Sequence, residues 1–223
     1  MFERKKYIEV IAEGQAEKVE AAHDLIDEIM AKRVKIGEGK NAEVFFSSKG
    51  AKQDLCIKQL RQVPERPHYQ SIDWEMKLQD EAHKLEVKVP QPILALITED
   101  DQSFMVMETI KGKSLQDIAG QALNPPASYK HNEFWGKLEG MLARLHDNRI
   151  YHRDLHLGNI MVDFQSGEPV LIDFGWSAYV PGGDDPYREV NVNINHLEDF
   201  SNDDERLKRC KREFSQHLTE VSQ

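Results

Sequence analysis

The stretch Tyr151–Asp163, YHRDLHLGNIMVD, gathers an arginine, two histidines, two aspartates and an asparagine between apolar residues. Asp154 and Asn159 stand five apart on a segment leading into the strand-like run Ile160, Met161, Val162. Two readings fit that spacing. One is a polar turn between two elements; the other is a reactive loop, in which Asp154 accepts a proton from an attacking hydroxyl and Asn159 offers an oxygen to a hard cation. Downstream, PVLIDFGWS reads as a short strand running into a turn, and its Asp173 offers a second hard oxygen. An amide and a carboxylate suit Mg2+, which takes few protein oxygens and keeps company with phosphates.

Upstream, VKIGEGKNAEVFFSS and QDLCIKQL have strand periodicity and read as a hairpin. Gly37 and Gly39 would let its first turn bring bare backbone N–H groups against phosphates, although glycine turns are also ordinary hairpin chemistry. Lys58 lies in LCIKQL, an otherwise apolar strand, where a lysine either faces water or neutralises a negative partner. Glu81, at the centre of the helix expected over SIDWEMKLQDEAHKL, is the partner this reading selects, with Glu75 and Glu86 in competition. A solvated helix face is the plain alternative for all three.

The 223 residues carry a formal net charge of −10, with 39% hydrophobic and 30% charged residues. That composition describes a soluble globular protein and argues against a general nucleic-acid binder. No run approaches a membrane span and no export signal is readable, so a cytoplasmic location is expected. Cys56 and Cys210 are too few and too distant for a metal motif and read as buried thiols. Residues 17–33 place Val19, Ala22, Ile26, Ile29 and Met30 on one helical face. Strands are expected in PQPILALITED and QSFMVMETI, and a short helix in SLQDIAGQA with Ser114 as its cap. Longer helices are expected where Phe134, Leu138, Met141, Leu142 and Leu145 share a face and where Leu207, Cys210, Phe214, Leu218 and Val221 do. Strands with one helix, followed mostly by helices, give an α+β chain with a small sheet-rich lobe and a helical one.

Gly37, Gly39, Lys58, Glu81, HRDLHLGN and DFG appear in the order of the protein-kinase signature, and the set resembles that family over Val34 to Trp176, about two-thirds of the chain. The resemblance implies a bilobal kinase-like fold: residues 1–33 a helical extension, 34–110 the β-rich lobe, and 111–223 a helical lobe reduced after DFG, with no APE motif and 48 residues following Gly175. It implies that Lys58 holds the α- and β-phosphates of ATP and pairs with Glu81, that Asp154 is the catalytic base, and that Asn159 and Asp173 hold Mg2+. Met107 would be the gatekeeper, the backbones of Glu108 and Ile110 would face adenine, and Val44, Cys56 and Met161 would sandwich it. Leu85, His152 and Phe174 fall where kinases stack a buried spine. Ser177, Tyr179 and Tyr187 follow DFG, where phosphorylation could pair with Arg153, or where they are ordinary loop residues.

Two departures stand out. Ala42 replaces the third glycine, and IGEGKNAEVF is closer to the loops of the RIO family and the kinase of the KEOPS complex. His156 stands where serine/threonine kinases carry lysine, and HLGN is similar to the HPGN of small-molecule kinases. The leading expectation is an ATP- and Mg2+-dependent serine/threonine protein kinase. A small-molecule or lipid-sugar kinase is the alternative, and an ATPase-like or non-catalytic module docked in a complex through its terminal helices is a third.

Overall fold

Alternation with period two decides the first half of the molecule. In LCIKQL, Leu55 and Ile57 point to one face while Cys56 and Lys58 point to the other. The structure, a computed structural model, describes residues 6–32, 35–38, 42–46, 54–60, 71–99, 102–180 and 203–221. The chain divides into two units, Met1–Glu81 with Pro90–Ile110, and Ala82–Val89 with Lys111–Gln223.

The first unit holds strands β1 (Lys6–Ile11), β2 (Lys35–Glu38), β3 (Ala42–Phe46), β4 (Leu55–Leu60), β5 (Pro92–Thr98) and β6 (Ser103–Glu108). They form one antiparallel sheet in the order β1-β5-β6-β4-β3-β2. Helix α1 (Val19–Lys32) packs on one face, where Ala22, Leu25 and Ile26 meet Phe45, Leu55, Ile57, Leu94, Leu96, Phe104 and Val106. Helix α2 (Ile72–Lys84) sets Ile72 and Met76 into a separate cluster with Cys56, Ala95, Met105 and Met107. A sheet covered on both faces explains why β5 and β6 read as nearly continuous apolar runs. The expected extension 1–33 contributes a strand as well as a helix. Strand β1 extends the sheet beside β5, in the same unit. Lys18, just before α1, pairs with Glu108 at 2.8 Å.

In the second unit, β7 (Gly112–Ser114), β9 (Ile160–Asp163) and β10 (Pro169–Leu171) make a three-stranded sheet, and β8 (Ile150–Tyr151) pairs with β11 (Ala178–Tyr179). Ser114 caps α3 (Leu115–Gly120), its side chain accepting from Asp117 N at 3.0 Å. Helix α4 (His131–Asp147) buries Phe134, Trp135, Leu138, Met141, Leu142 and Leu145. Helix α5 (Asp203–Val221) buries Leu207, Cys210 and Phe214, and Tyr129 joins the two helices by ring contacts to Phe134 and Phe214. Among the described residues, no helix is long and apolar enough to cross a membrane.

Gly112 shows how tightly the small sheet is closed. A Cβ there would stand 2.0 Å from the Val162 carbonyl oxygen, a contact with backbone that no rotamer relieves. At Gly136, in α4, a Cβ would meet nothing within 4 Å. Gly112→Ala should therefore cost at least about 2 kcal/mol. Gly136→Ala should be neutral or stabilise by roughly 0.5–1 kcal/mol. Urea unfolding midpoints of the two variants check the contrast.

Candidate functional site

Lys58 is the only charged side chain on the buried strand segment 55–58, and the pleat turns it to the α2 side of the sheet. Its Nζ meets Glu75 Oε1 at 2.6 Å, with side-chain exposures of 5% and 0%. Glu75, not Glu81, is the partner, and helix geometry gives the reason. Ile72, Glu75, Met76 and Gln79 are spaced i, i+3, i+4, i+7 and share the sheet-facing stripe. Glu81, six residues past Glu75, is turned by about 240° around the axis and moved about 9 Å along it. Glu81 is half-buried in another direction.

The spine position moves with that correction. Leu85 lies beyond the last residue of α2, half-buried. One turn after Glu75 stands Gln79, buried, with Nε2 donating to the Pro90 carbonyl at 2.6 Å and lying 3.6 Å from Met107 Sδ.

Other expected nucleotide-side residues in this unit cluster on the same face. Val44 and Cys56 pack with Met105 and Met107. Burial pushes the Cys56 thiol up to about 12, so it stays protonated and acts as a packing group. Glu108 N donates to Gln91 O at 2.9 Å, while the Cys56 thiol lies 3.8 Å from Glu108 O. Among the described residues, Ile110 N has no backbone acceptor. Gly37 lies in β2 opposite Val44. Gly39 lies outside the described residues, as does Tyr187.

The second unit carries Asp154, Asn159, Met161 and Asp173. Asn159 is buried, and its Nδ2 donates to Asp154 O at 2.9 Å and to Asp154 Oδ2 at 3.2 Å. With the amide nitrogen so engaged, the side-chain oxygen of Asn159 is the atom that can act as an acceptor. Ile172 N donates to Asn159 O at 3.1 Å, tying the segment before DFG to the loop. Asp173 has φ +65 and accepts from Gly175 N at 3.2 Å. Residues held in that backbone region concentrate at functional sites. Met161 is half-buried in β9. His152 is fully buried, its Nε2 facing the Ile172 carbonyl at 3.1 Å and its ring 5.1 Å from Phe174. Ser177 is fully buried and donates to His152 O at 3.2 Å, which withdraws it from modification.

Asn159 and Asp173 fit a divalent cation that brings ligands of its own. One amide oxygen and one carboxylate are too few for a protein cage, and among the described residues no group of three or more His, Cys, Asp or Glu gathers. A phosphate-bound Mg2+, held by one or two protein oxygens, is the ion such a set suits.

Asp203 is the residue that sequence reasoning missed. The first residue of α5, it is fully buried. Its Oδ2 accepts from His152 N and its Oδ1 from Arg153 N, both at 2.8 Å, and His146 Nε2 lies 3.1 Å from Oδ2. Arg153 itself has φ +64, so two amides of the loop are clamped across a strained residue. Burial alone would raise the Asp203 carboxyl, but the bond to His146, the charge of His152 and the two amides hold it below its ordinary value. The same bond raises His146, against partial burial.

Two outcomes follow from these contacts. Glu75→Ala should cost about 3–5 kcal/mol, because it removes the carboxylate from a buried ion pair. Glu81→Ala should cost about 1 kcal/mol or less, as denaturant unfolding would measure. Stability from His146 is fully present below its ordinary value of 6.5 and is lost as pH rises through the raised folded value. Stability from Asp203 is present above 3.8 and lost as pH falls through the depressed folded value. The wild-type unfolding temperature should therefore fall above about pH 6.5 more steeply than that of His146→Gln.

The family profile of the protein kinase domain matches residues 30–196. Serine/threonine-protein kinase C of Synechocystis is 30% identical over 148 residues, covering 63% of this chain and 27% of that protein. Serine/threonine-protein kinase PknA of Nostoc is 28% identical over 150 residues, covering 63% of this chain and 26% of that one. The chain thus spans about a quarter of the length of these curated relatives. The solved structure of the Cydia pomonella granulovirus kinase PK-1 matches with a TM-score of 0.50 at 16% identity, covering 76% of this chain and 64% of that one, a likeness of fold.

Proposed function

The chain belongs to the protein kinase family, and on that premise we propose that it is an ATP- and Mg2+-dependent kinase that phosphorylates serine or threonine hydroxyls of proteins. The buried Lys58–Glu75 pair carries the proposal. An ion pair in a sheet interior gains little stability over an apolar pair of the same size, so its value lies in holding a cation ready for a negatively charged ligand. Matches to serine/threonine kinases support the choice of acceptor.

In this reading the first unit binds the nucleotide. Lys58, oriented by Glu75, offsets charge on the α- and β-phosphates. The Glu108 carbonyl and the Ile110 amide offer an acceptor and a donor to the adenine edge, and Val44 and Cys56 supply apolar contact. Gly37, in β2, lets backbone amides approach the phosphates. The second unit performs the transfer. Asp154 receives the proton of the acceptor hydroxyl as its oxygen bonds to the γ-phosphorus and the bond to the β–γ bridging oxygen breaks. Mg2+ bound to Asn159 and Asp173 would supply charge neutralisation on the phosphates. A cytoplasmic location belongs to this reading, because ATP is abundant there.

The experiment is transfer from γ-labelled ATP with Mg2+ to dephosphorylated casein or to the chain itself, followed by phosphoamino-acid analysis. Labelled phosphoserine or phosphothreonine is expected. Asp154→Asn and Asp173→Ala should each lower the rate by at least about 100-fold with circular dichroism unchanged. Label appearing only as free phosphate, or only on a sugar acceptor, overturns the reading.

A further inference from the structure

His156 is the feature of the loop that the kinase reading leaves unused. We propose that it is a positioning residue that orients the carboxylate of Asp154, and that residue 158 is glycine so that the histidine ring can lie where it does. The proposal rests on Asp154 being the base.

The ring's protonation is set by the backbone. His156 Nδ1 accepts a hydrogen bond from Gly158 N at 3.0 Å. A ring nitrogen that accepts carries no proton, so the neutral imidazole bears its hydrogen on Nε2. Nε2 faces Asp154 Oδ2 at 3.7 Å. That distance is longer than a hydrogen bond, as is common for catalytic contacts before substrate binds and tightens them. The same Oδ2 already accepts from Asn159 Nδ2 at 3.2 Å. Among the described residues, Oδ1 has one charged neighbour, Arg206 Nη1, at 3.9 Å. Two donors converging on Oδ2 fix the rotation of the carboxylate and leave Oδ1 as the oxygen that takes the acceptor's proton.

Space at residue 158 is reserved for this ring. A Cβ there would stand 2.7 Å from His156 Cε1 and 2.9 Å from Nδ1. It would also meet Gln116 Oε1 at 2.7 Å, the free end of a side chain that can turn away. His156 also caps the 3-10 turn Leu157–Asn159 through the same bond. Asn, Ser or Asp would serve as a cap equally well. Only a side chain with a second polar atom farther out reaches Asp154. With 49% of its side chain exposed, His156 contributes little to the core.

That difference defines the test. His156→Asn keeps an acceptor at the Nδ1 position and so keeps the cap. His156→Gln keeps a donor at the Nε2 position. With casein, or the chain itself, as acceptor, His156→Ala and His156→Asn should both lose kcat by on the order of 10–100-fold, with the KM for ATP unchanged. His156→Gln should stay within about threefold of wild type. Gly158→Ala should match the His156→Ala loss in the wild-type background and add nothing to it in the double variant. Wild-type kcat in His156→Asn, or equal losses in Gln and Asn, overturns the proposal. Transfer surviving Asp154→Asn sinks the base assignment instead, whereas its loss alongside an unaffected His156→Asn sinks only this inference.

Discussion

One buried carboxylate governs where the loop carrying Asp154 and Asn159 can lie. Asp203 sits at the positive end of the α5 dipole and receives two backbone amides from residues about fifty positions earlier in the chain. A side chain bonding to backbone fixes φ and ψ rather than a rotamer, and here it holds Arg153 in the left-handed region at φ +64. That conformation costs on the order of 1–3 kcal/mol unless its surroundings enforce it. The loop's course, and with it the placing of Asp154 and Asn159, therefore depends on a helix about fifty residues further along the chain.

The first unit solves a related problem by different means. Lys58 is buried in the interior of the unit, where no apolar neighbour can satisfy its ammonium. Strand pleat and helix pitch together supply the answer: the pleat turns Lys58 to the α2 side, and the i, i+3, i+4 stripe of Ile72, Glu75 and Met76 brings one carboxylate to meet it. Apolar packing thus positions the charge, and the ion pair in turn fixes the register of helix on sheet.

Much of this was legible in the sequence. Period-two alternation in LCIKQL and the apolar runs around residues 92–108 were enough for the strands, and the helices over 72–84, 131–147 and 203–221 follow their apolar stripes. The pairing of Lys58 was misjudged because position along the helix was weighed above its phase. Counting from Ile72 and Met76 selects Glu75, so the signal was present. Strand β1 was passed over because KYIEVI is short and flanked by charge, and its pairing with β5 is a long-range contact that periodicity does not carry. Asp203 had no local signal beyond a favourable helix-start position, since what makes it matter is a bond to backbone far away in the chain.

The sheet between α1 and α2 also constrains how this sequence can change over time. In a sheet with one wet face, half of the strand positions drift freely between polar residues. In the buried centres of β4 to β6 neither face is open, so both halves of the alternation there favour apolar exchanges of similar volume. Lys58 is the exception within the buried part of β4, and the acidic residue 75 helps it to be tolerated there. Substitutions at these two positions are thus coupled, a constraint that the exposed surface of α1 does not share.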